Sequence, residues 1–469
     1  MGAFWSHSSK QGSDEQTRTQ VECSKRKRLL VIDGNEGPRI ISALPDELSI
    51  RILARVPLGC YSKLKLVCKT WNHVLRDSEI FELRKEISFS EEWLYILMKD
   101  EEEKLIWNAL DPLSGKWQSL PPMPAIIYEE EFNKATGWSL WNAMGTSGYR
   151  LTGIVRGWFG RKDSLDRTPF CGCAVGAING CLYVLGGFAK ACALKCVWRY
   201  DPRINTWTEV APMTTARAYC KTAVLNNKLY VVGGVNRGRG GLTPLQSAEA
   251  YDPVTNTWTQ ISNMPFARAQ VLPTAFLADM LKPIATGMTA FRGKLCVPQS
   301  LYSWPFFVDV GGETYDPATD SWMEMPNGMG DGWPARQAGT KLSVVVDGNL
   351  YALDPSSSLD SGKIKMYDPQ EDTWKVILRK VPVIDFSDSE SPYLLAGFLG
   401  KLHVITKDIG DNIAVLQADT SEGAVLSSSS SSPSDPSTSI SDSEADGWKS
   451  IGSRHFGFVE LVSCQVLKI

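Results

Sequence analysis

The stretch Tyr251-Asp252-Pro253-Val254-Thr255-Asn256-Thr257-Trp258 contains a phrase, Asp-Pro-x-x-x-x-Trp, that decides the fold because the chain repeats it. With 26 Pro and 16 Trp in 469 residues, chance alone would give about one Pro-x-x-x-x-Trp. Five copies occur, beginning at Asp111, Asp201, Asp252, Asp316 and Asp368. The phrase therefore marks an internal repeat, which indicates a chain built from several similar units.

Each copy is typical of a β-hairpin turn. Asp can open a turn by bonding to the backbone ahead of it, and Pro ends a strand because it has no N–H for the ladder. Trp then begins the returning strand and offers a large ring for packing. The fifth residue of each copy tolerates a left-handed backbone: Gly115, Asn205, Asn256, Asp320 and Asp372. The phrase predicts turns and packing, with no binding role of its own.

A second pattern precedes most copies of the phrase. Residues 180–187 and 228–234 each run from turn residues through a continuous apolar segment to a double glycine. Such a run is typical of a strand buried on both faces. Weaker forms occur at 293–297, 348–353 and 400–405. Together with the strands on either side of the Asp-Pro turn, this pattern predicts a unit of four strands.

The double glycine, the Tyr-Asp-Pro and the spaced Trp make these units resemble the kelch repeat. That resemblance implies an all-β fold in which four-stranded blades close radially into a β-propeller. Six units can be recognised from the Trp residues at 117, 207, 258, 322, 374 and 448. The expected blades lie near residues 90–120, 170–211, 217–262, 286–326, 338–378 and 393–452.

The ring has an expected closure at its ends. The first unit lacks an upstream strand, whereas the strand-like segment 456–469 belongs to no later unit. We expect this segment to complete the first blade, which would remove an exposed sheet edge. The propeller then spans residues 90–469, with the Ser-rich stretch 424–447 as a flexible loop inside the last blade.

Composition limits the classes of function. The net charge of −3 gives no indication of nucleic-acid binding. No run of about 18 apolar residues is present, and no apolar signal core follows the N-terminus, so we expect a cytoplasmic and/or nuclear protein. The Cys171-Gly-Cys173 and Cys192…Cys196 spacings are not those of a zinc module, so no metal or cofactor is predicted.

Residues 1–38 are polar and unpatterned, which predicts a disordered N-terminal segment. Gly2 fits the myristoylation pattern, and this is the only basis on which we expect membrane contact. The basic run at 25–28 fits a short nuclear signal. Plain solvated sequence is the alternative for both, as it is for phosphorylation of the Ser tract at 427–443.

Residues 39–85 lie outside the repeat and predict a small all-α domain. Four apolar residues share one face of the first expected helix: Leu48, Ile52, Leu53 and Val56. A second helix is expected over 62–76 and a third around 80–83. Three short helices can bury little core by themselves, so their excess of apolar residues indicates a partner.

This domain resembles an F-box because of two segments, Leu44-Pro45-Asp46-Glu47-Leu48 and Val67-Cys68-Lys69-x-Trp71. The resemblance implies docking to a Skp-type adaptor and, through it, to a cullin-based ubiquitin ligase. Family positions that form the adaptor surface, or the core beneath it, match Leu44, Pro45, Leu48, Ile52, Val67, Cys68 and Trp71. A three-helix F-box followed by kelch units resembles the plant F-box/kelch-repeat family. A non-catalytic receptor that captures a target protein is then expected.

Arginine recurs just before the first strand of three units, at Arg217, Arg268 and Arg336. In kelch substrate receptors an arginine at this position can reach a ligand at the channel mouth, where it could bind carboxylates bidentately. The alternative is that these arginines pair with a neighbouring blade. Long insertions collect on one predicted face of the propeller, which we expect to be the recognition face: 121–170, 235–247, 265–285, 298–310, 326–338 and 354–362.

Two other functions stay open. A kelch metalloenzyme would need several imidazoles or carboxylates that converge, whereas the chain has only four His, and these are scattered. A scaffold that carries the F-box without a ligase differs from the first hypothesis only in whether it binds the adaptor. Nothing in the sequence names the target protein.

Overall fold

The computed structural model describes residues 39–124, 170–189, 192–238, 241–267, 283–303, 306–334, 342–354, 362–378, 381–382, 393–408, 410–418 and 448–469. They form two compact units, a helical unit that ends at Glu91 and also includes Ile469, and a β unit over Glu92–Lys468. The predictions for residues 1–38 and 424–447, including Gly2 and the basic run at 25–28, fall outside the described residues.

The described residues of the helical unit form four α-helices and one 3-10 turn. These are α1 (Asp46–Ala54), the 3-10 turn (Leu58–Cys60), α2 (Tyr61–Leu64), α3 (Lys69–Val74) and α4 (Ser78–Glu86). Pro45 precedes α1 with a φ of −56°. Proline suits this position because N–H groups at a helix start have no acceptor within the helix, so its missing N–H costs no hydrogen bond. Asp77 caps α4, since its carboxylate accepts the amide of Glu79 at 3.0 Å.

The prediction of exactly three helices is not confirmed, because the helix expected over 62–76 is divided at Cys68. The Cys68 backbone is extended, with φ −160° and ψ 168°, and so cannot continue α2. Its sulfur instead accepts the amide of Trp71 at 3.4 Å and caps α3. The apolar spacing that predicted one helix therefore spans two helices and the turn between them.

The β unit is a six-bladed β-propeller. Blade 1 contains β1 (Glu92–Lys99), β2 (Leu105–Leu110) and β3 (Trp117–Ser119), and blade 2 contains β4 (Ala174–Ile178), β5 (Cys181–Leu185), β8 (Val197–Asp201) and β9 (Thr206–Val210). Blade 3 contains β10 (Lys221–Leu225), β11 (Lys228–Val232), β14 (Ala248–Asp252) and β15 (Thr257–Ile261). Blade 4 contains β16 (Pro283–Ala285), β17 (Thr289–Phe291), β18 (Lys294–Ser303), β19 (Phe306–Asp316) and β20 (Ser321–Glu324).

The remaining blades follow the same antiparallel order. Blade 5 contains β21 (Ser343–Val346), β22 (Asn349–Asp354), β23 (Lys363–Asp368) and β24 (Thr373–Leu378). Blade 6 contains β25 (Tyr393–Phe398), β26 (Lys401–Lys407), β27 (Asn412–Ala418) and β28 (Trp448–His455). The last strand, β29 (Glu460–Lys468), pairs with β1 from Glu92↔Lys468 to Lys99↔Glu460 and is the fourth strand of blade 1.

The innermost strands close the ring. β29 contacts β4, and β4, β10, β17, β21 and β25 contact one another in turn until β25 returns to β29. Two short hairpins lie in the connections between second and third strands: β6 (Phe188–Ala189) with β7 (Cys192–Ala193), and β12 (Val235–Gly238) with β13 (Gly241–Pro244). A short helix, α5 (Asn327–Asp331), follows β20.

The Asp-Pro phrase makes the predicted turn in all five copies. Each Asp accepts the amide two residues ahead, at 2.8–3.0 Å, as Asp252 accepts that of Val254. The fifth residues all have the left-handed backbone, with φ values of 64° at Gly115, 57° at Asn205, 54° at Asn256, 48° at Asp320 and 51° at Asp372. Residue choice at these positions is therefore set by turn geometry.

The same phrase also holds the neighbouring blade. Asn256 Oδ1 accepts the hydroxyl of Tyr251 at 2.8 Å within blade 3 and the amide of Ala211, which leaves blade 2, at 3.0 Å. The Trp258 ring nitrogen donates to the carbonyl of the same Ala211 at 2.8 Å. We call this arrangement the seam clamp: one residue leaving a blade has both its amide and its carbonyl bound by the next blade.

The seam clamp recurs at the next two seams. In blade 4, Asp320 accepts the amide of Ser262 at 2.9 Å, and Trp322 donates to its carbonyl at 2.8 Å. In blade 5, Asp372 and Trp374 bind Met329 in the same way, at 2.9 and 3.1 Å. Among the described residues, the buried ring nitrogens of Trp117 and Trp448 have no hydrogen-bond partner. At the blade 6–blade 1 seam the Trp117 ring instead packs edge-on against Phe456, with the ring centroids 5.3 Å apart.

We predict that the clamp at Asp320 weakens in acid. The amide of Ser262 and the hydroxyl of Tyr315 hold the pKa of Asp320 below its usual value. Its contribution to stability is therefore complete above the unfolded-state pKa of about 4 and is lost as pH falls through the lower folded-state pKa. Asp320→Asn should keep both hydrogen bonds, as Asn256 does, and remove this pH dependence.

Thermal unfolding of the β unit from about pH 7 to about pH 3.5 measures the effect. Asp320→Asn should match the unmodified chain near pH 7 and lose less stability in acid, whereas the control Asp320→Ala should be less stable throughout. An identical acid loss in the Asn variant and the unmodified chain would contradict this interpretation.

Candidate functional site

Helix α1 has one buried and one exposed apolar side. Ser49, Ile50, Leu53 and Ala54 are buried, and the helix contacts α4. Leu48 and Ile52, one turn apart, are each 47% exposed. A short helix that keeps two large aliphatic side chains half in water has an apolar face that the described residues of its own unit do not cover.

A second exposed apolar pair lies between α2 and α3. Leu66 is 84% exposed and Val67 60% exposed. They sit in the turn that Cys68 ends, where the backbone leaves the helical course of α2. Scattered exposed aliphatic residues are ordinary on protein surfaces, but four within twenty residues of a small unit indicate a surface for another protein. We call Leu48, Ile52, Leu66 and Val67 the apolar docking set.

The structure leaves all seven predicted adaptor residues exposed or partly exposed. Pro45, Leu48, Ile52, Val67 and Cys68 are exposed, and Leu44 and Trp71 are partly exposed. None of the seven is buried, so all can take part in a surface. The core of the unit is formed by other residues: Ile50, Leu53, Ala54, Tyr61, Val74, Leu75, Ile80 and Phe81. Contact between the seven predicted residues and an adaptor stays a prediction.

For two residues of this surface, Trp71 and Leu66, the structure shows features that the sequence pattern did not predict. Trp71 is fixed in place, because its ring nitrogen donates to the carbonyl of Ile40 at 2.7 Å. Leu66, the most exposed member of the apolar docking set, was missed. The helical spacing had placed residues 62–76 on one continuous helix, and the break at Cys68 could not be read from that spacing.

In the same unit, a buried arginine joins the helices. Arg84 is fully buried and donates to the carbonyls of Ala54 and Val56, at 2.8 and 2.7 Å, and to Glu91 at 2.8 Å. Glu91 also accepts the amide of Leu58 at 3.1 Å. Because a buried charge needs both an ion partner and hydrogen bonds, this cluster fixes the end of α1 relative to α4.

In the β unit, Arg217 is fully buried rather than open at the channel mouth. Its guanidinium forms an ion pair with Glu249 at 2.6 Å and donates to the carbonyls of Gly233 and Ser247, both at 2.9 Å. The backbone carbonyl of Arg217 accepts the amide of Gly187, in blade 2, at 3.0 Å. This placement favours a structural role, in which the side chain braces its own blade and the backbone binds the neighbouring one.

Glu249, the carboxylate partner of Arg217, was not predicted from the sequence, although the repeat contains a signal for it. A glutamate stands two residues before Tyr-Asp-Pro in units three and four, as Glu249 and Glu313, and both are buried. Glu313 accepts the amide of Ala267 and the side-chain amide of Gln299, at 2.8 and 2.9 Å. In blade 5 the corresponding residue is Lys365, which pairs with Asp354 at 2.5 Å. Arg268 and Arg336 themselves lie outside the described residues.

The described residues give no support to metal or thiolate chemistry. They contain no group of three His, Cys, Asp or Glu side chains that could hold a metal ion. Burial raises the pKa of Cys220 and of Cys196 to about 11, so both thiols stay protonated. Burial likewise lowers the pKa of His403 to about 4. None of the described helices is long and apolar enough to span a membrane.

Comparison with known proteins supplies the family. Residues 41–83 match the F-box domain model, and residues 169–214 and 216–265 match the Kelch motif model. The F-box/kelch-repeat protein At1g22040 of Arabidopsis thaliana is 59% identical over 97% of this chain and 97% of its own length. The Arabidopsis F-box/kelch-repeat protein At1g30090 is 29% identical over 70% of the chain, and the F-box protein AFR is 27% identical over 67%.

We predict that Arg217→Ala destabilises the β unit by about 3–5 kcal/mol, because it leaves the Glu249 carboxylate buried without its ion partner. Chemical denaturation of the full chain, followed by tryptophan fluorescence, measures the loss. The paired change Arg217→Met with Glu249→Leu should cost less than Arg217→Ala alone, since no uncompensated charge remains. An Arg217→Ala variant as stable as the unmodified chain would show that the ion pair is not structural.

Proposed function

The chain belongs to the F-box/kelch-repeat family, and we propose that it is the substrate-recognition subunit of a Skp-cullin-F-box ubiquitin ligase. In this role the F-box binds a Skp-type adaptor, the adaptor links it to the cullin, and the propeller captures a target protein. The observation that carries the proposal is the apolar docking set, which lies within the residues that match the F-box model. We propose a cytoplasmic and/or nuclear location for this activity.

The exposed apolar surface supplies a reason for adaptor binding. Full burial of an aliphatic side chain is worth about 1.5–3 kcal/mol, so burying the exposed part of four such side chains supplies several kcal/mol. On α1 their positions are fixed by the buried residues Ile50 and Leu53 and by the bond from Arg84 to the Ala54 carbonyl. A preorganised surface loses little conformational entropy on binding, which favours association.

The proposed role needs no catalytic residue in this chain. A substrate receptor acts by holding its target near an enzyme that other subunits bring, so its requirements are two binding surfaces on stable units. The alternative is a scaffold that carries the same F-box without entering a ligase. Adaptor binding separates the two, since only the ligase subunit requires it.

For target capture we propose the face of the propeller formed by connections between second and third strands. The β6–β7 and β12–β13 hairpins lie in these connections, and β18 and β19 extend to ten and eleven residues. Each hairpin is joined to the chain entering its blade, through the bridges Cys171↔Phe188 and Ala218↔Val235. Structured insertions of this kind can vary in sequence while the blades stay unchanged.

We predict that Ile52→Asp and Val67→Asp each abolish adaptor binding without unfolding the chain, because both side chains are exposed and a carboxylate would be desolvated in the complex. Pull-down of the full chain with a recombinant Skp-type adaptor measures the loss. Val254→Asp is a matched control, since Val254 is 80% exposed in the β unit. Adaptor binding that survived both changes, with folding verified by circular dichroism, would count against this surface.

We predict that Arg336→Glu reduces target capture. In the repeat unit that contains Arg336, Lys365 occupies the sequence position that Glu249 has in blade 3, so this unit lacks the glutamate with which Arg217 pairs. Proximity labelling in cells, with Ile52→Asp added so that targets accumulate, provides the readout. The control is Lys228→Glu, an exposed change in blade 3. An unchanged set of labelled proteins in the Arg336→Glu chain would remove Arg336 from the recognition face.

A further inference from the structure

One hairpin of blade 4 extends beyond its own sheet. β18 has ten residues and β19 eleven, whereas the second and third strands of the other blades have five to eight. The two strands are paired from Leu295↔Tyr315 to Ser303↔Phe306. The outermost strand, β20, pairs with β19 over Glu313–Asp316. The hairpin therefore continues past the last strand of its blade.

The free side of this hairpin is the outer edge of β19. The opposite edge is covered, because β16 pairs with β18 over Gln299–Leu301. Within the part of the chain that the structure describes, no strand pairs with the outer side of β19 over Phe306–Val310, and α5 reaches β19 at Gly311. The consecutive residues Val308 and Asp309 are both exposed. Since neighbouring residues of a strand point to opposite faces, both faces of the ribbon meet solvent there. We call Phe306–Val310 the free edge.

The register of the hairpin determines which backbone groups reach the free edge. Ser303 and Phe306 are partners across a two-residue connection, and a turn of this length closes with a hydrogen bond between its two partners. In an antiparallel ladder, pairs that exchange hydrogen bonds alternate with pairs that do not. Phe306 and Val308 then bond to β18, whereas Phe307 and Asp309 direct their amides and carbonyls outward. These four groups can form a ladder with a further strand.

The free edge has little of the protection that exposed sheet edges usually have. Between Lys294 and Asp309 the sequence contains no charged residue. The Ser300 hydroxyl donates to the Asp309 carboxylate at 2.7 Å, which holds this charge against its own hairpin. The outer strand β28, by contrast, carries the exposed charges of Lys449 and Arg454. A long, apolar edge with few charges is suited to pairing with another chain.

We propose that the free edge pairs with the same edge of a second copy of this chain, antiparallel and about a two-fold axis at Val308. The sequence of the edge is self-complementary in this register: Val308 is opposite the partner's Val308, and Phe307 is opposite the partner's Asp309. The two symmetry-related pairs of Phe307 and Asp309 exchange four backbone hydrogen bonds. A register centred on Asp309 would instead place two carboxylates opposite each other, which is unfavourable. This inference does not rest on the proposed function.

The size of the contact sets its expected strength. Five residues from each copy form an interface smaller than those of stable complexes, so the association should be weak. We expect a dissociation constant of about 10–100 µM, which makes the chain monomeric at about 1 µM and mainly dimeric at about 200 µM.

Sedimentation velocity of the full chain at these two concentrations tests the pairing. The test variant is Val308→Lys, which places two like charges opposite each other at the two-fold axis. Val308 is 48% exposed, so the folded chain can accommodate the lysine. The matched control is Val254→Lys, which adds the same charge at a residue of the β unit that is 80% exposed.

The unmodified chain and Val254→Lys should form dimers alike, whereas Val308→Lys should weaken association at least about tenfold and stay monomeric at about 200 µM. An equal mixture of Val308→Lys and Val308→Glu should form dimers again, because the charges at the axis are then opposite.

Cysteine cross-linking tests the register. A pair that does not exchange hydrogen bonds has Cα atoms about 4.5 Å apart, within the range of a disulfide, and Val308 is such a pair at the axis. Asp309 is diagonal to the partner's Asp309, with Cβ atoms about 7–8 Å apart, which is too far for a disulfide. Under mild oxidation Val308→Cys should give a covalent dimer, whereas Asp309→Cys should match the unmodified chain and its 11 native Cys.

The outcomes decide between this occupant of the edge and others. An unmodified chain that stays monomeric at about 200 µM would overturn the inference. Slow hydrogen exchange at the Phe307 and Asp309 amides of that monomer would then assign the edge to a segment of the same chain. A dimer that Val308→Lys does not weaken, or equal cross-linking of the two cysteine variants, would also overturn it. Adaptor binding by Val308→Lys should equal that of the unmodified chain, so failure of the pairing leaves the proposed function standing.

Discussion

The seam clamp is the interaction on which the propeller depends. A blade buries its flat faces only against the blades on either side, so the ring needs a device that fixes the distance and angle between neighbours. Where it is present, the clamp does this at a single residue between blades, whose amide and carbonyl are both bound by the next blade. Asn256 and Trp258 bind Ala211 at the seam between blades 2 and 3, and the same arrangement follows at Ser262 and Met329. The Asp-Pro-x-x-x-x-Trp phrase thus combines a turn with a joint between blades.

Local turn chemistry explains why so much of the β unit could be predicted from the sequence. Asp, Pro and the left-handed fifth residue are dictated by backbone geometry within seven residues, and the five turns have that geometry. The inter-blade half of the phrase could not be read in the same way. Its partners, such as Ala211 for Trp258, lie 47 residues away and have no required side chain. The pairing of Arg217 with Glu249 shows the same limit, because burial and partner both depend on the folded blade.

In the helical unit, the sequence names seven residues for adaptor binding, which stays a prediction, but it could not show which apolar residues of the unit are exposed. Helical spacing gives a face but does not say whether a core or a partner covers it. Leu53 and Ile52 are neighbours in sequence, yet one is 1% and the other 47% exposed. The break at Cys68 is a further case, since a single extended residue decided that Leu66 and Val67 lie in a turn. The burial of Leu53 follows from the packing of α1 against α4, whereas the break at Cys68 is local to the turn.

The pairing of β29 with β1 has a consequence for biosynthesis. Ile96 and Cys464 are partners in one sheet, although the ribosome adds them about 370 residues apart, or roughly 20–70 s at ordinary elongation rates. Throughout that interval β1 is available while its inner neighbour has not been made. Blade 1 can therefore acquire its full sheet only after every other blade has been synthesised, and the ring must close as a late, long-range event. A nascent chain would meanwhile present an open sheet edge, which is the kind of surface that chaperones protect from aggregation.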